Sequence, residues 1–140
     1  MNNMLLEMIH EFIEEGDFFG EVSDEDIRKA EEALELSFPL EYKGFVKRFG
    51  SGGICGVEIL GVEGPEYSSV VEGTVRYRKL GLPNNYIVIE NVDEFVYCLN
   101  TLEEYTVVRW DDVSKREIKR YDSFDEYLQD SFQEAIDNMD

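Results

Sequence analysis

Hydrophobic residues recur at helical spacing through the first third of the chain, which predicts three consecutive amphipathic helices. Ser23 is a suitable N-cap for the second helix, and three acidic residues after it favour the positive end of the helix dipole. Pro39 suits the first turn of the third helix, and Gly50 predicts its end. The predicted buried stripes are Leu5, Met8, Ile9, Phe12 and Ile13 in the first helix, Ile27, Ala30 and Leu34 in the second, and Tyr42, Phe45, Val46 and Phe49 in the third.

The segments between these helices and the later strands have weaker patterns. Gly16 and Gly20 predict a loop, and Ser51-Gly52-Gly53 predicts a flexible connection into a first strand over residues 57–60. Residues 68–80 fit a strand by their valines and a short helix by their spacing, and we favour the helix, ended by Gly81.

Short apolar runs dominate the next part of the chain. They predict strands over residues 86–90, 95–99, 106–110 and 117–121, joined as an antiparallel meander. Ser123 and Glu126 form a capping-box pattern that predicts a closing helix with an acidic outer face. Helices, then strands, then a helix indicate the α+β class. We therefore expect one domain over residues 1–140, with N-terminal helices, an antiparallel sheet of about four to six strands, and a C-terminal helix packed on the sheet.

Charge is the most unusual property of the composition. The 32 acidic residues outnumber the 13 Lys and Arg residues, which gives a formal net charge of -19. Such a charge repels nucleic acids and anionic membranes and favours basic protein partners. Acidity that serves only solubility is the alternative interpretation. The N-terminus shows neither a signal peptide nor a membrane span, so we expect a cytoplasmic protein.

Residues suited to catalysis are few. His10 is the only histidine, no Gly-x-Ser-x-Gly motif occurs, and Cys55 and Cys98 lie in apolar contexts typical of buried free thiols. Acidic pairs are frequent but lack the spacing of a calcium loop. We therefore expect no enzyme activity, no cofactor and no metal, although a small hydrolase that uses acidic residues is a formal alternative.

Residues 22–54 resemble the SUKH superfamily, which includes bacterial immunity proteins and a yeast cell-wall regulator. The resemblance is carried by Ile27 to Glu31, by a Leu-Pro-x-x-Tyr-x-x-Phe motif, and by Gly52-Gly53. Phe38 replaces the Leu of that motif, a conservative apolar change. Residues 89–99 and 108–111 also resemble antitoxin members. The resemblance implies an α+β fold, and it implies structural roles for Pro39, Tyr42, Phe45 and Gly53.

The resemblance implies a non-enzymatic immunity protein that binds and neutralises a toxin, often a nuclease. Because a nuclease holds a polyanion, its active face is basic and attracts an acidic inhibitor. We expect a cognate toxin with a basic nuclease domain as partner, and a monomer or weak homodimer. A regulatory or scaffold module of the same fold and a DNA-mimic inhibitor are the alternatives. The predicted contact residues lie at strand ends: Asp93, Glu94, Glu103, Glu104, Asp111 and Asp112.

Overall fold

The computed structural model describes residues 1–103 and 105–139. Over these residues the chain forms five α-helices, one two-stranded antiparallel sheet and one four-stranded antiparallel sheet, which confirms the predicted α+β class. No described helix has the length and apolar character that a membrane span requires. The helices are α1 (Asn3–Glu11), α2 (Asp24–Leu34), α3 (Leu40–Phe49), α4 (Ser69–Arg78) and α5 (Phe124–Asp137). The strands are β1 (Gly16–Phe18), β2 (Gly52–Ile54), β3 (Tyr86–Asn91), β4 (Val96–Asn100), β5 (Thr106–Trp110) and β6 (Glu117–Tyr121).

Serine side chains start three of the helices. The hydroxyl of Ser23 accepts a hydrogen bond from the Asp26 N–H at 3.1 Å, and that of Ser123 accepts one from the Glu126 N–H at 3.2 Å. Ser68 caps α4 in the same way, so the segment with the ambiguous pattern is helical, as predicted. These bonds satisfy N–H groups that have no partner inside a helix.

The four-stranded sheet has the order β3-β4-β5-β6. Strands β3, β4 and β5 are mostly buried on both faces, whereas the edge strand β6 is largely exposed. Alternation along each strand separates the side chains into two sets. One set packs with helices α1, α2, α3 and α5, and includes Ile87, Leu99 and Val107. The other set forms a second cluster with Tyr77 of α4: Leu82, Tyr86, Val88, Val96, Cys98, Val108 and Trp110. The C-terminal helix packs on the sheet as predicted, with its buried residues facing β5 and β6.

The predicted loop at Gly16 and the predicted flexible connection at Gly52 are both wrong, because these segments pair as β1 and β2. Gly16 lies opposite Ile54, and Phe18 lies opposite Gly52. The glycines permit a close approach of backbones that any side chain would prevent. A Cβ atom on Gly52 would lie 1.9 Å from the Asp17 carbonyl oxygen. Glycine lowers strand propensity, so the residues that allow this sheet also conceal it in the sequence.

Residues 57–60 do not form the predicted strand. The extended segment 59–62, called the linking segment here, instead bonds a different part of the fold at each residue. Its backbone hydrogen bonds are Ile59 N–H to Gly52 O at 2.9 Å, Leu60 N–H to Ile89 O at 2.8 Å, Gly61 N–H to the Ser69 hydroxyl at 2.8 Å, and Val62 N–H to Gly50 O at 3.0 Å. One bridge to β2 and one bond to β3 join the two sheets through this segment.

Tyr42 connects α3 to the linking segment. Its ring is fully buried, with ring centroids 5.0 Å from Phe38 and 5.2 Å from Phe124. Its hydroxyl donates a hydrogen bond of 2.6 Å to the carbonyl oxygen of Leu60. Burial raises the pKa of the Tyr42 hydroxyl well above its usual range, so it remains a donor at physiological pH.

The cysteines are both free, but only one is buried. Cys98 lies in the second core cluster, where burial raises the pKa of its thiol, as expected for an unreactive side chain. Cys55 is half-buried, so its prediction as a buried thiol is wrong. It follows β2 with a φ of 50°, in a tight turn at the surface of the sheet.

Replacing Tyr42 by Phe removes the hydroxyl and leaves the Leu60 carbonyl without this donor. We expect a loss of about 1–2 kcal/mol in the free energy of unfolding, measured by urea denaturation. Tyr67→Phe is the matched control, because Tyr67 is half-exposed, and its effect should stay within about 0.5 kcal/mol. Equal effects of the two substitutions would show that the Tyr42 bond does not support the fold.

Alanine substitutions at two glycines should change the free energy of unfolding in opposite directions. A Cβ atom on Gly53 would lie 2.0 Å from the Val57 carbonyl oxygen, so Gly53→Ala should destabilise the fold by about 1–3 kcal/mol or more. A Cβ atom on Gly44, inside α3, meets its nearest atom at 3.7 Å, so Gly44→Ala should stabilise by about 0.5–1 kcal/mol. Thermal unfolding of both variants tests this, and a stable Gly53→Ala chain would contradict the close packing at β2.

Candidate functional site

The predicted acidic contact residues are divided between the two ends of the four-stranded sheet. In a meander, successive turns lie at alternate ends, and the register shows which turns meet. Asn91 pairs with Val96, which pairs with Trp110, so the β3–β4 and β5–β6 turns share one end. The β4–β5 turn lies at the other end. The first end carries Asp93, Glu94, Asp111 and Asp112, the opposite end carries Glu103, and Glu104 lies outside the described residues.

Asp111 has a structural role in the β5–β6 turn. Its Oδ1 accepts hydrogen bonds from the Val113 N–H at 2.8 Å and the Ser114 N–H at 3.1 Å. The bonds from the Ser114 and Val113 N–H groups lower the pKa of Asp111 below its ordinary value. Asp93 and Glu94, by contrast, are exposed in the β3–β4 turn. The Asp93–Glu94 and Asp111–Asp112 pairs therefore share one end of the sheet. Asp93 and Glu94 offer exposed carboxylates to a partner, whereas the carboxylate of Asp111 already accepts hydrogen bonds from its own turn.

Glu103 lies near the N-terminus of α5. Tyr105, in the same turn as Glu103, lines a concavity together with Ser123 and Phe124 at the start of α5. The pKa of Lys119 in β6 is raised first by its bond to Asp122, at 2.7 Å, and then by Glu103 and Glu126. The end of the sheet that carries Glu103 therefore faces the acidic first turn of α5, which the strand-end prediction did not include.

A concave surface of about 540 Å³ lies at this first turn of α5, and we call it the acidic pocket. Its lining has four carboxylates and no Lys or Arg. Like charges in a concave, low-dielectric wall concentrate a negative potential. The lining residues are Asn2, Glu41, Ser123, Asp125, Glu126, Gln129, Asp130 and Gln133.

Asp125 is the buried carboxylate of the acidic pocket, with 6% of its surface exposed. Its Oδ2 accepts a hydrogen bond from the Asn2 N–H at 2.9 Å and lies 4.0 Å from the Met1 amine. Its Oδ1 has no hydrogen-bond partner among the described residues. A buried polar atom without a partner costs about 1–3 kcal/mol. Such atoms are rare in folded proteins, so this one needs an explanation.

Glu41 brings a second carboxylate from α3 to the same place. Its Oε1 accepts a hydrogen bond from the backbone N–H of Asp125 at 3.1 Å. The pKa of Asp125 is raised, first by burial and then by the charge of Glu41, against the opposing effects of the Met1 amine and the Asn2 N–H. The acidic pocket therefore holds a charge that its surroundings neutralise incompletely.

An apolar concavity of about 320 Å³ adjoins the acidic pocket and shares Glu41 and Ser123 with it. We call it the apolar pocket. Leu40, at the start of α3, is 85% exposed there. The other residues that line it are Pro39, Tyr105 and Phe124. Together the two pockets form a continuous surface with an acidic half and an apolar half.

The sequence pattern gave only part of this site. It identified the acidic outer face of the closing helix, but not the approach of Glu41, which lies 84 residues before Asp125 in the chain. The available signal was Asp125 itself, an acidic residue two positions after a helix cap and beside Phe124. That position is common for a carboxylate that faces the helix dipole, so it did not indicate a pocket.

Groups suited to catalysis or metal binding are not brought together in the described residues. His10 is exposed on α1. Within residues 1–103 and 105–139, no three His, Cys, Asp or Glu side chains are arranged to hold a metal ion. What the paired pockets offer chemically is recognition of positive charge next to apolar surface.

Comparison with known proteins gives both a family and a fold. The SUKH_5 family model, described as SMI1-KNR4 cell-wall, matches residues 1–133. A crystal structure of a protein from Pseudomonas syringae pv. tomato has the same fold, with a TM-score of 0.73 and 20% sequence identity. The match covers 92% of this chain and 98% of that one.

Replacing Asp125 by Asn should stabilise the chain at neutral pH. Because the pKa of Asp125 is higher in the folded chain than in the unfolded chain, the folded state holds the proton more tightly. The free energy of unfolding therefore falls as the pH rises from the pKa of Asp in the unfolded chain, roughly 3.9, to the higher pKa of Asp125 in the folded chain. The Asn side chain keeps the shape and loses this effect, so we expect a higher midpoint in thermal unfolding at pH 7 and a smaller difference near pH 3.

Glu94→Gln is the control for this prediction, since it removes one negative charge from an exposed turn. It shows how much stability comes only from reducing the overall repulsion. If Asp125→Asn raises the unfolding midpoint no more than Glu94→Gln at either pH, or lowers it at pH 7, the buried carboxylate would not destabilise the fold.

Proposed function

We propose, since this chain belongs to the SMI1-KNR4 cell-wall family of the SUKH superfamily, that it is an immunity protein that binds and neutralises a toxin without catalysis. Members of this family interact with other proteins. The proposed partner is a toxin with a basic nuclease domain, and the proposed unit is a single domain over residues 1–140, located in the cytoplasm.

The observation that carries this proposal is the charge of -19 combined with an acidic pocket beside exposed apolar residues. A nuclease keeps a basic surface to hold its polyanionic substrate. An acidic protein is attracted to that surface over distances near the Debye length, about 8–10 Å at physiological salt. Exposed apolar side chains then supply the contact that holds the complex after the encounter.

The strand-end carboxylates are proposed as outer contacts of this interface. Exposed charges mainly affect the rate of association, and each contributes about 0.2–1 kcal/mol to a pair. Asp93 and Glu94 lie on one end of the sheet, and Glu103 lies on the other. A small partner therefore contacts the carboxylates at only one end of the sheet. Because the acidic pocket lies near the end with Glu103, we expect the contact at that end.

A regulatory or scaffold module is the second candidate, and the cell-wall description of the matching family model favours it. Such a module binds several cellular proteins and has no toxin partner. The two functions differ in whether one partner is lethal when it is expressed alone.

The test is coexpression of the chain with the protein encoded beside its gene, followed by calorimetry and stopped-flow association kinetics of the purified pair at low and high salt. We expect rescue of growth and tight binding, with an association rate that falls by about tenfold or more at high salt. Glu103→Gln should slow association more than Asp93→Asn, which removes the same charge at the other end of the sheet.

Binding that is tight but independent of salt would contradict the electrostatic part of the proposal. Absence of both rescue and binding would remove that neighbour as the target. A pull-down that then recovers several non-toxic partners would support the scaffold function.

A further inference from the structure

We infer that the acidic pocket and the apolar pocket together form one docking groove, in which a protein partner places an Arg or Lys side chain beside Asp125 and an adjacent apolar side chain against Leu40 and Tyr105. This inference rests on the proposed function only in that the partner is a basic protein. It does not require that the partner be a toxin.

The charge balance of the acidic pocket favours a cation. Four carboxylates line it. The Met1 amine, 4.0 Å from Asp125, supplies one positive charge, and the N-terminus of α5 supplies about half of one. The first N–H groups of α5 are already used, because Asp125 N–H bonds Glu41 and Glu126 N–H bonds Ser123. The helix end is therefore not free to bind an anion, and the net charge remains negative.

The unpartnered oxygen of Asp125 identifies the kind of group that fits. Asp125 lines the pocket and is more than nine-tenths buried, and its Oδ1 has no donor among the described residues. An ammonium offers three N–H donors and a guanidinium offers five in a planar arrangement. Oδ1 is itself covered, so the Asp125 side chain must rotate to turn this oxygen toward the pocket. A charge-assisted bond from either group would then satisfy the oxygen and offset part of the negative charge of Asp125 and Glu41.

The apolar pocket explains why the cation comes from a protein segment. A small cation would leave Leu40, which is 85% exposed, and the half-buried Tyr105 uncovered. The two pockets share Glu41 and Ser123, so one short segment reaches both. Volumes of about 540 and 320 Å³ leave room for side chains rather than for a folded domain. A buried charge beside an apolar anchor is also the usual composition of an energetic centre in protein interfaces.

The test is an NMR titration of the ¹⁵N-labelled full chain with the peptide acetyl-Arg-Phe-amide. We expect saturable shifts of backbone amides in residues 40–41, 105 and 123–129. Replacing Arg by citrulline, which has the same shape without the charge, should weaken binding about tenfold or more, the factor that one lost ionic hydrogen bond produces. Replacing the Phe of the peptide by Ser should also weaken binding. In the Leu40→Ser protein, the difference in affinity between these two peptides should be smaller.

Two protein variants test the carboxylates separately. Asp125→Asn keeps the shape of the buried side chain, and Glu126→Gln changes an exposed residue of the same pocket. Both substitutions should weaken binding of the Arg-Phe peptide, and Asp125→Asn should weaken it by about tenfold. Glu25→Gln removes the same charge from an exposed position at the start of α2. That helix start lies beside the C-terminal end of α3, where Lys47 pairs with Asp24 at 3.1 Å, and Glu41 lies at the other end of α3. The Glu25→Gln control should leave affinity for the peptide unchanged.

Three results would overturn the docking groove: no saturable shifts at millimolar peptide, equal binding of the citrulline peptide, or equal weakening by Glu25→Gln. Because no toxin is present in this titration, its outcome is independent of the coexpression test. Peptide binding without rescue would retain the groove and exclude the toxin tested, whereas rescue without peptide binding would retain the immunity function and place its interface elsewhere.

Discussion

The hydrogen bonds of the linking segment, residues 59–62, are the constraint on which the rest of this structure depends. Four consecutive residues bond β2, β3, α4 and the end of α3, and the Tyr42 hydroxyl bonds the Leu60 carbonyl from α3. Tyr42 is one residue from Glu41 and two from Leu40. The bond that anchors α3 therefore also fixes the side chains that form the wall between the acidic and apolar pockets. Family residues that look structural, such as Tyr42, thus position the candidate site without contacting a partner.

Most of the fold is predictable from the sequence, because most of it follows local rules. Helical periodicity with serine caps gave the helices, and short β-branched and aromatic runs gave β3 to β6. The small sheet of β1 and β2 is different. Its strands are three residues long, and glycines form much of them because backbones approach closely there. Strands this short show no alternation, and Ile54 is their one β-branched residue. The pairing of β1 with a segment far along the chain therefore leaves no local pattern.

The candidate site is less predictable, because it depends on contacts between distant segments and on how each carboxylate is used. Strand ends are easily found, but a meander places successive turns at opposite ends, so acidic turns that look alike do not form one surface. Asp111 and Glu94 are equivalent in a count of charges, yet Asp111 accepts two turn N–H groups and Glu94 is exposed. The meeting of Glu41 with Asp125 across 84 residues has no signature in spacing or composition.

The strained charge of Asp125 and the proposed binding of a cation are two effects of the same electrostatic field. Burial and Glu41 make the carboxylate costly to ionise, and the Met1 amine offsets this only in part. A cation that enters the pocket favours the ionised form of Asp125 and therefore lowers its pKa. By linkage, the free energy of that pKa shift equals the free energy that ionisation of Asp125 adds to binding of the cation. A proton and a basic side chain therefore compete for one buried group. The affinity of the docking groove for a basic segment must therefore fall as the pH is lowered toward the raised pKa of Asp125.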